Sequence, residues 1–155
     1  MLLEEIIQAI VPLQVIGKSD NLQNFDIRNL LIDSRQLGNQ PNSTLFFAFR
    51  TATNDGAIYI PRLIERGVRC FVLTHDQLSA IGSCEVASNT FIFIIVEDVL
   101  AALQALAIYK RSLYHGPVIG ITGSNGKTVV KEWLYQLLKD DYHITRSPKS
   151  YNSQI

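Results

Sequence analysis

Val118-Ile119-Gly120-Ile121-Thr122-Gly123-Ser124-Asn125-Gly126-Lys127-Thr128 carries an apolar, β-branched run through a glycine-rich turn into a helical pattern. Strand, glycine turn and helix in that order define an α/β unit whose turn cradles phosphate. Glycines let the backbone fold back so that successive N–H groups converge on phosphate oxygens, and the helix adds the positive end of its dipole. Lys127 then reaches the outer phosphates, and Thr128 offers its hydroxyl to Mg²⁺. The candidate nucleotide-binding residues are Gly123, Ser124, Asn125, Gly126, Lys127 and Thr128.

The loop departs from the commonest phosphate-binding pattern, G-x-x-x-x-G-K-[ST]. Its first glycine would stand where this chain has Ile121, and Gly120 and Gly123 flank that position instead. The loop therefore points to a particular branch of nucleotide-binding proteins.

Working outward, His115-Gly116-Pro117 precedes the loop and reads as a boundary, giving two regions, 1–115 and 116–155. Beyond it the expected order is a strand over 117–121, the loop, a helix from Thr128 to Lys139, and a strand over 142–146. About forty residues lie near the lower limit for independent folding without a metal or disulfide, so the second region reads as the start of a larger domain. Before the boundary, a helix is expected over 2–10, strands over 29–33 and 44–49, a helix over 58–66 stopped by Gly67, and a strand over 69–74. The run 91–96 is so continuously apolar that it reads as a strand covered on both faces. A helix over 99–114 follows, with Glu97 and Asp98 at its start and Lys110 and Arg111 near its end, as the helix dipole favours.

Fourteen basic residues balance fourteen acidic ones, which gives no net field for nucleic acid or an anionic membrane. No apolar run approaches the ~20 residues of a membrane span, so no membrane insertion is expected. The acidic Glu4 and Glu5 stand where a secretory leader would carry basic residues, which points to a cytoplasmic protein. Cys70 and Cys84 lack metal-ligand spacing and read as free thiols. His75, His115 and His143 fall in no motif, and Trp133 and Tyr135 read as packing residues rather than an adenine platform.

The sequence Thr122-Gly123-Ser124-Asn125-Gly126-Lys127-Thr128 resembles the ATP loop of the Mur ligase family, which builds the peptidoglycan stem peptide. Three further stretches are similar to that family. Leu31-Ile32-Asp33-Ser34-Arg35, followed by Leu45-Phe46-Phe47-Ala48-Phe49, resembles the domain that holds the UDP end of the substrate; read alone, Asp33-Ser34-Arg35 is a capped turn. Asn54-Asp55-Gly56-Ala57-Ile58-Tyr59-Ile60 resembles a segment in which the family carries His where this chain has Ala57, and Asp55 alone reads as a helix cap. The tail, with Thr145, Ser150, Asn152 and Ser153, resembles the MurF type more than the MurE type, although only Asn152 keeps the family's asparagine.

The resemblance implies an α/β fold: a small N-terminal Mur ligase substrate domain, then the first strand, phosphate loop and helix of a truncated P-loop ATPase domain. It implies ATP and Mg²⁺ as cofactors, Lys127 as catalytic residue, Thr128 as metal contact, and Ser34, Arg35 and Asn152 as substrate contacts. The reaction implied is ATP-driven amide synthesis through an acyl phosphate. It joins D-alanyl-D-alanine to UDP-N-acetylmuramoyl-tripeptide in the full-length parent, while this stretch alone is expected to be inactive. Two alternatives stay open: a non-catalytic UDP-substrate-binding module of a ligase fused to an alanine racemase, and a MurE-type ligase.

Overall fold

A computed structural model describes residues 1–17, 25–81 and 90–147. The chain divides into two compact units, Met1–Tyr114 and His115–Ile155.

The first unit is built on five strands: β1 (Gln14–Ile16), β2 (Asn29–Leu31), β3 (Thr44–Phe47), β4 (Cys70–Leu73) and β5 (Ile92–Ile95). Their order is β1-β5-β4-β3-β2, parallel except for β1, which runs antiparallel to β5. Every residue of β3, β4 and β5 is buried, as continuous apolar runs require when helices cover both faces.

Side chains alternate between two cores. On one face Leu45, Phe47, Cys70, Val72, Ile92 and Ile94 pack against α1 (Leu3–Ile10) and against Val99, Ala102 and Leu106 of a later helix. On the other, Phe46, Phe71 and Phe93 stand opposite one another in register, with ring centroids 6.5 and 5.5 Å apart. This ladder is covered by Ile60 and Leu63 of α2 (Ile60–Glu65), while α3 (His75–Ala80) adds Leu78. The fourth helix, α4 (Val99–Ser112), starts where Asp98 Oδ1 accepts from the Ala101 N–H at 2.8 Å, and Lys110 and Arg111 lie in its last turn.

Several expectations are revised. The segment 58–66 is a 3₁₀ turn, Gly56–Tyr59, running into the short α2; Gly67 follows with φ +92°, the backbone that makes glycine the natural stop. The strand β1 and the helix α3 were not expected. Cys70 is buried in the core, and burial pushes its thiol up to about 12, leaving it a small apolar packing group. Cys84 lies outside the described residues.

The second unit contains α5 (Lys127–Leu138), but 117–121 and 142–146 are not strands. Val118 and Ile119 have strand-forming side chains, yet a strand exists only by pairing, and among the described residues neither segment has a ladder partner. The same shortage of neighbours leaves Trp133 67% exposed, so it is not a packing residue here. Tyr135 does pack, its ring 4.0 Å from the Arg146 guanidinium. Arg146 also pairs with Glu132, and Lys131 Nζ donates to the Ser147 carbonyl at 2.8 Å, so residues 146–147 are held against α5.

Candidate functional site

In the second unit the glycine loop takes the shape its residues permit. Gly123 has φ +147° and Gly126 φ +77°, values that side-chain-bearing residues avoid. A Cβ at Gly126 would meet nothing within 4 Å, so glycine is required there by the backbone angle rather than by crowding. Gly126 caps α5, and Val130 N–H closes the first helical bond onto the Gly126 carbonyl at 2.9 Å. A helix start leaves its first backbone N–H groups without intrahelical partners. Lys127 Nζ turns back over the loop and donates to the Gly123 carbonyl at 2.6 Å. The ammonium thus rests against the loop's own carbonyls, beside the N-terminal end of a twelve-residue helix. Positive backbone dipole, open glycine backbone and a flexible cation together suit a polyphosphate, and Thr128 is the second residue of the helix. Among the described residues no group of three or more His, Cys, Asp or Glu gathers to hold a metal by itself.

In the first unit, the residues after β2 form a 3₁₀ turn, Ser34–Gln36. Asp33 caps it, its Oδ1 accepting from the Arg35 N–H at 3.0 Å. The Arg35 fork also closes on Asp33, with Nε to Oδ1 at 2.9 Å and Nη2 to Oδ2 at 2.8 Å. This pairing draws the Asp33 carboxyl down to about 2, chiefly through the Arg35 side chain and then its backbone N–H. Arg35 nevertheless stays 87% exposed, so the paired guanidinium faces solvent and its Nη1 edge remains outside the fork. The capped-turn reading describes this local geometry. Arg66 Nη1 approaches the Ser34 carbonyl at 3.4 Å from the end of α2.

After β3, Asp55 caps its own 3₁₀ turn through the Ala57 N–H at 2.9 Å. Ala57 is buried in the core there. Arg50 Nε donates to Asp55 Oδ2 at 2.8 Å and its Nη1 to Asp76 Oδ2 at 2.5 Å. Gln77, fully buried, donates to the Ala48 carbonyl and to Asp55 Oδ1, and accepts from the Thr74 N–H. Burial pushes the Asp55 carboxyl up, but the Ala57 N–H, Arg50 and Gln77 outweigh it and leave it below its ordinary value. The Asp76 carboxyl is held at about 2 by the Thr74 hydroxyl and then by Arg50. Sequence reading missed Arg50 and Gln77. The signal available was Thr74-His75-Asp76-Gln77, a T-x-x-Q capping box that marks a helix start.

Of the expected site residues, Gly123, Ser124, Asn125, Gly126, Lys127 and Thr128 come together in one loop, and Ser34 and Arg35 in another. Asn152, with Ser150 and Ser153, lies outside the described residues.

No protein-family profile matches the chain. Curated proteins and solved structures do. A UDP-N-acetylmuramoyl-tripeptide--D-alanyl-D-alanine ligase of Borreliella burgdorferi is 29% identical over 154 residues, 99% of this chain and 33% of its own length. The ligase of the same name from Synechocystis is 31% identical over 133 residues, 86% of this chain and 27% of its own. A UDP-N-acetylmuramoyl-L-alanyl-D-glutamate--2,6-diaminopimelate ligase of Bacteroides thetaiotaomicron is 32% identical over 142 residues, 90% of this chain and 26% of its own. MurF from Acinetobacter baumannii superposes with TM-score 0.68 at 22% identity over 90% of this chain and 27% of that structure. The MurF ligase of Thermotoga maritima, solved in complex with ADP, superposes with TM-score 0.63 at 26% identity over 84% of this chain and 27% of that one.

Sequence and fold together make the chain a relative of the Mur ligases. Its likeness runs to the MurF type in both comparisons and, in sequence, to the diaminopimelate-adding type as well, and the Borreliella match extends through nearly all of it. The chain spans about a third or less of the length of these curated relatives.

Proposed function

We propose that this chain is the N-terminal part of a cytoplasmic, ATP-dependent amide ligase of peptidoglycan precursor synthesis. The full-length ligase joins D-alanyl-D-alanine to UDP-N-acetylmuramoyl-tripeptide. Residues 1–115 hold the UDP end of the substrate through Ser34 and Arg35, and 116–155 open the ATP-binding domain. Asn152, in the tail, adds a substrate contact.

The loop 123–128 carries this reading. Two glycines at positive φ, a helix start and a lysine folded onto the loop carbonyls fit a triphosphate. Bound ATP would supply the γ-phosphoryl group to the substrate carboxylate, leaving ADP, and attack by the amine would then displace inorganic phosphate from the acyl phosphate as the amine loses a proton. The chain's own task is positioning and charge neutralisation. Lys127 would exchange the Gly123 carbonyl for an outer phosphate oxygen, the backbone N–H groups of 123–128 would hold the remaining oxygens, and Thr128 would offer its hydroxyl to Mg²⁺. In the first unit, Arg35 is held in place by Asp33 and presents its outer edge to the diphosphate, while the Ser34 hydroxyl meets the nucleoside.

Calorimetric titration of the 155-residue chain with UDP-N-acetylmuramoyl-tripeptide, UDP and Mg-ATP tests the reading. Binding of both UDP ligands is expected; a folded chain that binds neither removes the substrate assignment. The similarity to a diaminopimelate-adding ligase supports a MurE-type reading as second choice. Tighter binding of the muramoyl-dipeptide than of the tripeptide would favour it.

A further inference from the structure

Residues 51–54 form a tight turn between β3 and the Gly56–Tyr59 turn, and all four are exposed. The Thr51 N–H donates to the Asn54 carbonyl at 2.8 Å, and the Asn54 N–H donates to Thr51 Oγ1 at 3.1 Å. Surface turns ordinarily rely on such internal bonds and water. This one is also gripped from outside on two sides. On one side Arg50 spans Asp55 and Asp76, and Gln77 ties Asp55 to the Ala48 carbonyl. On the other, Tyr59 Oη donates to Asn54 Oδ1 at 3.2 Å.

The turn also stands where a ligand would meet it. β2 and β3 are parallel neighbours, so the stretches that follow them leave the sheet at the same end. In open α/β sheets that end is where ligands bind. Ser34 follows β2 by three residues and Arg50 follows β3 by three. Two carboxylates already engage Arg50 through its Nε and both Nη groups, so its charge is neutralised within the turn. A buried carboxamide such as Gln77 is stable only with its polar atoms satisfied: here its Oε1 caps α3 through the Thr74 N–H, while its Nε2 donates to the Ala48 carbonyl and to Asp55 Oδ1, which flank this turn.

Resting on the UDP-substrate reading above, we propose that Arg50, braced by Asp76 and Gln77, is a positioning residue: it holds the turn 51–54 in register with Ser34 and Arg35 so that both border one substrate-binding edge. Lysine would not replace it, because a point charge cannot fork across Asp55 and Asp76.

Arg50→Ala, Arg50→Lys and Arg28→Ala, all in the 155-residue chain, test this by amide hydrogen exchange and by titration with UDP-N-acetylmuramoyl-tripeptide and UDP. Arg28 is the control: it too makes a solvent-facing ion pair, with Asp26, but just before the start of β2. The expected result for Arg50→Ala is faster exchange confined to 51–57 and UDP-ligand affinity weakened about tenfold, in keeping with the sensitivity of binding groups to small misplacement. Arg50→Lys should recover only part of that loss, and Arg28→Ala should change neither readout. Wild-type affinity in Arg50→Ala overturns the proposal, and so does an equal loss in Arg28→Ala, which would mark a general effect of destabilisation. A wild-type chain that binds neither UDP ligand overturns the substrate reading itself. That failure is distinct, because the exchange pattern reports the grip on the turn with no ligand present.

Discussion

The two units reach order by different routes. In the first, β3, β4 and β5 are buried along their whole length between two cores. In the second, no described residue is buried, and Val118, Ile119, Trp133 and Leu137 all expose more than half of their surface. Yet the second unit carries the more explicit chemical signature. A phosphate loop is a local device: glycine angles, a helix start and one lysine define it without a core. A sheet is a non-local one, and its stability comes from what is packed on it.

If that contrast holds, core and loop substitutions should each disturb one unit alone. Phe71→Ala removes the middle ring of the Phe46-Phe71-Phe93 ladder from a fully buried site. It should destabilise the first unit by ~3–5 kcal/mol, as for other buried aromatics. Chemical denaturation followed by near-ultraviolet dichroism reads the loss, and helical signal from α5 that melts together with the sheet would break the comparison.

Lys127→Ala tests the converse. In the full-length ligase, activity should fall on the order of 10²–10³-fold or more, the scale of losing one charge-stabilising group. The unfolding midpoint of the first unit should stay where it was, since among the described residues the Lys127 ammonium bonds only loop carbonyls. Retained turnover would sink the assignment of Lys127.

Legibility in the sequence follows the same division. The runs that became β3, β4 and β5 were readable because burial on both faces leaves an unbroken apolar string, α1 because of its apolar spacing, and α4 because its terminal charges suit the helix dipole. β1 was hidden by its brevity, only Gln14–Ile16, and α3 by a polar sequence whose one signal was its capping box. Residues 117–121 and 142–146 mislead in the opposite sense: their composition favours strands, but pairing decides, and composition holds no record of a partner. In the loop, Gly123 and Gly126 were legible because positive φ selects glycine directly. The closure of Arg35 on Asp33 and the burial of Gln77 were not, because they depend on side-chain geometry that no local pattern encodes.

Gly126→Ala sharpens the contrast at a smaller scale. The added methyl meets nothing within 4 Å, so its effect is only the strain of φ +77°, about 1–2 kcal/mol for a residue forced into left-handed backbone. With no core beneath it, the loop should relax to another conformation instead of unfolding the chain. Nucleotide affinity should therefore drop about tenfold while thermal stability is unchanged. A lowered melting temperature with intact Mg-ATP binding would show the loop to be structural.

The smallest expected effect concerns acid. Asp33 and Asp76 both titrate at about 2, below the ordinary 3.8, through Arg35 and through Thr74 with Arg50 respectively. A carboxyl whose pKa is lower folded than unfolded contributes stability that is complete above the unfolded value and is lost as pH falls through the folded one. The window is therefore roughly pH 4 down to pH 2. Both pairs face solvent, so salt and water screen them and the change should be slight. Asp33→Asn and Asp76→Asn should each flatten part of that acid limb in the first unit while leaving stability near neutrality almost unchanged. The two variants should differ in one respect: Asp76→Asn loosens the Arg50 grip and should speed amide exchange in the turn 51–54, whereas Asp33→Asn should free Arg35 without reaching that turn. Identical exchange patterns would mean that the two strand-end loops are not held independently.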